Sequence, residues 1–305
     1  MELRKIALIG AGAIGAYLIW SFEDAADVTF TVIAEGERAE RLERDGVRIN
    51  GERHSLRVRE PARAGEQDVV FIATKYGALD EAIAMLPPMI GPDTLVLSLL
   101  NGVDSEERLA RAVGPEHVVH SVIRIASHRT REGVNFEPER VIGLYFGLPG
   151  AGAEDQWKLE ALSDLFARTR LRWHLSEDIL TDIWMKFASN IANNLPQAVL
   201  GVSASLYLKS EHGRFLAQKL WSEVAAVAAA HGVRLAEEVL IFPGQSASAK
   251  YSTLQDLEAG RHTEIDMFAG QMMRMGEQAG IPTPYCEYTY HAIKALEEKN
   301  DGLFA

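Results

Sequence analysis

Three side chains near the middle of this chain recur at a spacing that a helix would turn into a single row. They are Lys186, Asn190 and Asn194, within Trp184-Met185-Lys186-Phe187-Ala188-Ser189-Asn190-Ile191-Ala192-Asn193-Asn194. At about 100° per residue they form one ridge roughly 12 Å long, and Ile183, Phe187, Ile191 and Leu195 form the ridge beside it. Trp184, Ala188 and Ala192 leave little polar surface around the ammonium and the two carboxamides, so the row reads as facing a cleft; a row facing water is the alternative. A second group lies near the N-terminus, where the strand-like Lys5-Ile6-Ala7-Leu8-Ile9 runs into Gly10-Ala11-Gly12-Ala13-Ile14-Gly15. This is a G-x-G-x-x-G spacing at a strand-to-helix turn. Gly10 permits the tight turn, Gly12 lets the backbone approach a pyrophosphate, and Gly15 lets the next helix pack on the strand. The helix N-terminus then faces the phosphates.

The elements around these groups fit a dinucleotide-binding domain. A second strand, Val28 to Ala34, ends in Glu35, 20 positions after Gly15. A carboxylate there accepts hydrogen bonds from the adenosine ribose and repels a 2′-phosphate, which favours NAD over NADP. The alternative is a surface glutamate among Glu37, Arg38 and Glu40. No lysine follows Gly15, which excludes a nucleoside triphosphate loop of the Walker type. Asp68 to Ala73 is a buried strand, followed by Thr74-Lys75-Tyr76 and a helix from Leu79 to Met85. Thr94 to Leu100 is another strand, ending in Asn101-Gly102. Lys75 and Asn101 thus sit at carboxyl ends of strands, where open α/β sheets bind ligands, although Asn-Gly alone is ordinary turn chemistry.

After a strand from Val118 to Ala126, Gly133-Val134 and Gly143 to Gly147 read as short antiparallel strands at the sheet edge. A helix from Gln156 to Thr169 and a last strand, Arg172 to Leu175, close this half. From Ser176 the pattern is helical, opened by a capping box at Ser176 and by Asp178. The fold class is therefore α/β: a doubly wound domain over 1–174 and an all-α domain over 175–305, with the boundary near His174. The second domain includes an alanine-rich amphipathic helix, Phe215 to Ala230, suited to the core or to a homodimer contact. It also includes a methionine-rich helix, Thr263 to Ala279, whose methionines fill the core.

Composition narrows the function. The chain has 305 residues, 47% apolar and 24% charged, which is enough to bury a substantial core. A net charge of -12 disfavours nucleic acid and anionic membrane as partners and leaves a small molecule. The single cysteine, Cys286, excludes an internal disulfide and fits a reducing, cytoplasmic setting as an inert thiol. The apolar run from Ile6 to Trp20 follows Arg4-Lys5 like a signal peptide but is too short to span a bilayer. There is no H-E-x-x-H or paired-cysteine spacing, and His117 with His120 is an isolated pair on a strand, so no metal is expected. Neither Ser203 nor Ser246 lies in G-x-S-x-G, which removes the nucleophile elbow of the hydrolases. Glu237-Glu238 and Glu297-Glu298 read as solvated helix faces.

Taken in order, the glycine turn, Asn101-Gly102, the Lys186, Asn190, Asn194 row, Ser252, and Arg261-His262-Thr263-Glu264-Ile265-Asp266 resemble the ketopantoate reductase (2-dehydropantoate 2-reductase) family along essentially the whole chain. The resemblance implies a Rossmann domain joined to a helical domain, with the active site in the cleft between them. It assigns Lys186 as the catalytic lysine and Glu264 as its substrate-binding glutamate. Asn190, Asn194 and Ser252 become substrate contacts, Asn101 a residue near nicotinamide and substrate, and Lys75 a residue of the cofactor loop. Reduction of a 2-oxo acid builds negative charge on the carbonyl oxygen, which an ammonium stabilises and protonates. Burial beside Phe187 and Trp184 would lower the pKa of Lys186, and a nearby Glu264 would oppose the shift.

The chain departs from the family pattern at three places. Ala34-Glu35-Gly36 stands where NADP-using members carry an arginine, Leu195 precedes Pro196 where proline directly follows the second asparagine, and His120-Ser121 replace small residues. The second departure predicts a displaced helix end, and the third a changed substrate pocket. The implied activity is reduction of 2-dehydropantoate to pantoate with NAD or NADP, Glu35 tilting towards NAD. The alternatives are an NAD-dependent D-2-hydroxyacid dehydrogenase of the same family acting on branched or aromatic 2-oxo acids, and a dinucleotide sensor without turnover.

Overall fold

The computed structural model describes residues 2–130, 132–239 and 246–304. Apolar runs bounded by glycine and proline become the strands of the first half: β1 (Lys5–Ile9), β2 (Thr29–Ile33), β3 (Val47–Ile49), β4 (Glu52–His54), β5 (Val58–Arg59), β6 (Val69–Ile72), β7 (Leu95–Ser98), β8 (Val118–Arg124), β9 (Ser127–Arg129), β10 (Val134–Phe136), β11 (Gly143–Gly147) and β12 (Trp173–Leu175). Between them run α1 (Ala13–Phe22), α2 (Gly36–Asp45), α3 (Leu79–Ala84), α4 (Ser105–Val113) and α5 (Gln156–Ala167). Eight strands form one sheet in the order β12-β11-β8-β7-β6-β1-β2-β5, and four form another, β4-β3-β10-β9.

The large sheet is parallel apart from the β8–β11 pair. Its central strands are apolar on both faces because helices cover both. Ile6 and Leu8 point into one core with Tyr17 and Phe166, while Ala7 and Ile9 point into the other with Leu79 and Leu109. From β1 the chain moves to β2 on one side and later returns to β6 on the other, which opens a crevice between β1 and β6 at their carboxyl ends. The Gly133-Val134 strand does not extend this sheet. It belongs to the smaller one, where Val134 pairs with Arg129 and Ile49, because the unforeseen hairpin β3–β4 at Asn50-Gly51 offers it an edge.

The second half is helical: α6 (Ile179–Leu200), α7 (Ser205–Lys209), α8 (Glu211–Ala230), α9 (Ser252–Glu258), α10 (Ala269–Ala279) and α11 (Pro284–Asn300). The chain divides into compact units Met1–Asp182 and Ile183–Ala305. That division falls inside α6, whereas the sequence reading places a boundary at 174/175. The first turn of α6 belongs with the sheet: Asp182 accepts from Ser176 at 2.7 Å and pairs with Arg124 at 3.0 Å.

Helix ends differ from the sequence reading for local reasons. Asp178, not Ser176, caps α6, since its carboxylate accepts the Thr181 amide at 3.1 Å while Ser176 is engaged with Asp182. Pro196 does not end the helix, which continues to Leu200. Helix α8 starts four residues before Phe215 because Ser210 caps it, accepting the Gly213 amide at 3.1 Å. The expected helix from Thr263 begins only at Ala269. His117 lies in a 3₁₀ turn ahead of β8 rather than on the strand. Glu297 is 2% exposed, not solvated, and its carboxylate accepts both the amide and the hydroxyl of Thr263 at 2.7 Å. Met267, Met272 and Met275 are core residues, as expected. Cys286 is buried, and burial followed by the nearby Glu223 carboxylate pushes its thiol well up, so it is inert.

Candidate active site

The first group belongs wholly to the sheet unit. Gly10 has φ +103, and a Cβ there would sit 2.6 Å from the Ala73 carbonyl, so only glycine lets the turn after β1 pass the end of β6. A Cβ on Gly15 would lie 2.0 Å from the Gly10 carbonyl oxygen, which accounts for the close seat of α1 on the strand. Gly12 differs: a Cβ there meets nothing nearer than the Ala73 oxygen at 4.0 Å. Space is therefore left beside Gly12, at the head of a helix whose N-cap makes no side-chain hydrogen bond. First-turn amides have no intrahelical acceptor, and an anion satisfies them. The buried Thr74 hydroxyl has no partner among the described residues and stands in the segment that touches Gly10. These features fit a dinucleotide pyrophosphate.

Glu35 is exposed at the end of β2, where it is the N-cap of α2 without a capping hydrogen bond from its side chain. Lys75 is exposed after β6, at the start of a 3₁₀ turn. Asn101 is half-buried after β7, next to Gly102 at φ +122. The loops after β6 and β7 are tied together, since the Tyr76 hydroxyl donates to Asp104 at 2.6 Å. Glu35, Lys75, Asn101 and the glycine turn thus all lie at carboxyl ends of parallel strands. Thr74 and the Tyr76–Asp104 pair escaped the sequence reading; strand-end position was the available signal for both.

The second group belongs to the helical unit. Ile183, Phe187, Ile191 and Leu195 are at most 5% exposed, as an inward ridge should be. The polar ridge beside them is not a water-facing row: Lys186 and Asn190 are half-buried, and Asn194 is 4% exposed. Phe187 packs on Phe268 at 6.2 Å between ring centroids, and the Phe268 amide bonds the Glu264 carbonyl at 3.1 Å, so the Glu264 turn lies along α6. Its neighbours are committed elsewhere. Arg261 pairs with Asp256 at 2.7 Å, Thr263 bonds Glu297, and Asp266 takes Tyr290 at 2.8 Å and Lys294 at 2.9 Å. They hold the segment in which Glu264 lies, half-buried.

At the other end of the row, the buried Gln197 carboxamide accepts the Tyr251 amide at 2.6 Å and donates to the Ala249 carbonyl at 3.1 Å. This anchors the residue before Ser252, an exposed hydroxyl in the first turn of α9. The turns that carry Glu264 and Ser252 therefore lie against α6, the helix of Lys186, Asn190 and Asn194. Gln197, which fixes Ser252, was not anticipated; its i+3 position from Asn194 was the only hint. Among the described residues no group of His, Cys, Asp and Glu could hold a metal, and no helix is long and apolar enough to cross a membrane.

Comparison with known proteins adds an independent line. Residues 6–137 match the family model described as ketopantoate reductase PanE/ApbA, and residues 178–297 match its C-terminal counterpart. A 2-dehydropantoate 2-reductase of Mesorhizobium japonicum is 28% identical, with 96% of each chain covered. A PanE/ApbA family ketopantoate reductase of Ralstonia eutropha JMP134 superposes with a TM-score of 0.79 at 25% identity, covering 97% of this chain and 99% of that one. D-mandelate dehydrogenase with NADH and anilino(oxo)acetate superposes with a TM-score of 0.84 at 23% identity, covering 97% and 99%, a likeness of fold alone.

Proposed function

The chain belongs to the ketopantoate reductase family, and from that premise we propose that it reduces the 2-oxo group of 2-dehydropantoate to pantoate as an NAD(P)-dependent oxidoreductase. The observation that carries this reading is the polar row of α6, in which Lys186 and Asn190 are half-buried and Asn194 is buried, with the turn of the half-buried Glu264 lying along the same helix, in a chain that also has a pyrophosphate cradle. When bound, the nicotinamide supplies the reducing equivalent. Gly10 to Gly15 hold the pyrophosphate through backbone amides, Glu35 the adenosine ribose, and Lys75 and Asn101 the nicotinamide-side half. Lys186 donates the proton to the substrate carbonyl oxygen and offsets the charge that grows there. Asn190, Asn194 and Ser252 bind the polar groups of the substrate, and Glu264 accepts a substrate hydroxyl.

Glu35 favours NADH, and with it a second reading: an NADH-dependent D-2-hydroxyacid dehydrogenase acting on branched or aromatic 2-oxo acids. Steady-state rates with 2-dehydropantoate, 2-oxoisovalerate and phenylglyoxylate, each with NADH and NADPH, separate the two. The first reading expects the highest kcat/KM with 2-dehydropantoate. A preference of tenfold or more for phenylglyoxylate favours the second, and dinucleotide binding without turnover on any acid leaves a sensor. A homodimer would use the exposed Leu208, Phe215 and Tyr288 on α7, α8 and α11, which light scattering tests.

A further inference from the structure

Strands β7 and β8 pair only at Val96 with Val118 and Leu97 with Val119, after which they part. Beyond that point the first turn of α4 bonds to both strands, to Ser98 of β7 and to Ser121 of β8. Glu106, 5% exposed, places its carboxyl there, where the backbone amides of Glu106 and Ser121 bond it. The Ser121 hydroxyl reaches across to the Ser98 carbonyl at 2.5 Å. A line of donors runs to the same carboxyl from the turn that follows β7: the Leu100 amide to the Ser98 hydroxyl at 3.4 Å, Ser98 to the Ser105 hydroxyl at 2.8 Å, and Ser105 to Glu106 at 2.8 Å. Ser98 and Ser105 are at most 1% exposed, so water does not replace any link. Leu100 immediately precedes Asn101.

We propose that Glu106 is a positioning residue for Asn101: from its seat between β7 and β8 it holds, through Ser105 and Ser98, the turn that presents Asn101 to ligand. The proposal rests on the reading of Asn101 as a ligand contact given above. An ionised carboxylate only accepts, so it aligns both hydroxyls towards itself. A protonated one can donate back to Ser105 and reverse the line, which takes from the Ser98 hydroxyl the acceptor it uses. Burial pushes the carboxyl up to about 7, the hydrogen bonds of Ser105 and the two amides opposing, so both states are reached near neutrality.

The surrounding groups do not supply a counter-charge. The charge that acts on Glu106 is the like charge of Asp104. On α4, Glu107 pairs with Arg111, and Arg108 pairs with Asp80 of α3, which also carries Glu81. Tyr76 donates to Asp104. On β8, Arg124 pairs with Asp182, and burial lowers the pKa of His120. In the turn before β8, His117 bonds the Thr94 carbonyl at 2.8 Å beside Glu116. No titratable side chain lies on β7 itself.

The test compares wild type, Glu106→Gln, Ser98→Ala, Asn101→Ala and the Glu106→Gln/Asn101→Ala double variant of the full chain between pH 5.5 and 9. It reads kcat and KM for the best 2-oxo acid, NADH affinity by fluorescence, and Tm. The expected result is a wild-type kcat/KM profile with an ionisation near neutrality that Glu106→Gln lacks. At pH 8, Glu106→Gln and Ser98→Ala raise KM or lower kcat by threefold to tenfold and weaken NADH binding by no more than Asn101→Ala does; Tm is not lowered in Glu106→Gln, whereas Ser98→Ala, which strands the buried Leu100 amide, lowers it. The double variant is no worse than Asn101→Ala. A Glu106→Gln or Ser98→Ala enzyme with the wild-type pH profile and constants overturns the proposal, as does a loss that adds fully to that of Asn101→Ala. A wild type that reduces no 2-oxo acid instead overturns the functional reading on which the proposal stands.

Discussion

The glycine turn after β1 and the polar row of α6 are built from opposite materials. At the turn, the proposed ligand site rests on missing side chains: Gly10 and Gly15 are required by the protein's own backbone, whereas Gly12 is spared any internal clash. On α6, the proposed site rests on side chains set at the edge of the core: Lys186 to Asn194 run beside Phe187 and Leu195, between the Glu264 turn and the Gln197 anchor. The difference teaches where mutations should separate folding from function. In a backbone site the same change, glycine to alanine, damages either the fold or the ligand according to position. In a side-chain site, removing one polar group should damage chemistry and leave the fold.

The largest expected effect is on the side-chain site. Lys186→Ala should lower turnover at least about a hundredfold while dinucleotide affinity, measured by fluorescence titration, stays nearly unchanged. Equal losses in both would erase the contrast between the two regions. Next comes the buried Glu106. Its folded pKa of about 7 lies above the 4.5 of a free carboxyl, so the folded protein binds the extra proton between those values. Stability from this group is full below about pH 4.5 and is lost as pH rises through 7, up to about 3 kcal/mol in all. Asp155 and Asp266, whose pKa values are lowered, act below this window. Denaturant unfolding of wild type against Glu106→Gln from pH 4.5 to 8.5 measures it, and a difference that stays flat with pH contradicts it.

The glycine pair sharpens the comparison directly. Gly15→Ala brings a Cβ within 2.0 Å of a carbonyl oxygen and should cost about 1–3 kcal/mol of stability by chemical denaturation. Gly12→Ala, with 4.0 Å of clearance, should change stability by no more than about 0.5 kcal/mol yet weaken dinucleotide binding about tenfold. Equal destabilisation by both would mean that the space beside Gly12 serves packing. The smallest effect is one of preference: Glu35→Arg should raise the NADPH-to-NADH ratio of kcat/KM by about tenfold, or about 1.4 kcal/mol.

What the sequence made legible follows the same division. The glycine spacing, the central strands and the α6 periodicity are local patterns, and each reappears in the structure within a residue or two of its expected limits. Features that depend on partners distant in sequence were not legible. The hairpin at Asn50-Gly51 takes β10 away from the large sheet, and Ser176 is withdrawn from capping by Asp182. Glu297 looks like a surface acid beside Glu298 until Thr263, 34 positions earlier, is folded onto it. Glu106 was hidden for the same reason: in the run Ser105-Glu106-Glu107-Arg108 nothing distinguishes it from Glu107, and only the parting of β7 and β8 makes it a buried group.

The central claim is that this chain moves a hydride from a nicotinamide to the second carbon of a small 2-oxo acid. Turnover of 2-dehydropantoate with NADH carrying deuterium at both C4 positions, followed by mass spectrometry and proton NMR of the product, tests it most directly. The account predicts pantoate with one deuterium at C2. Oxidation of the cofactor without deuterium at that carbon, or dinucleotide binding with no reduction of any 2-oxo acid, would contradict it.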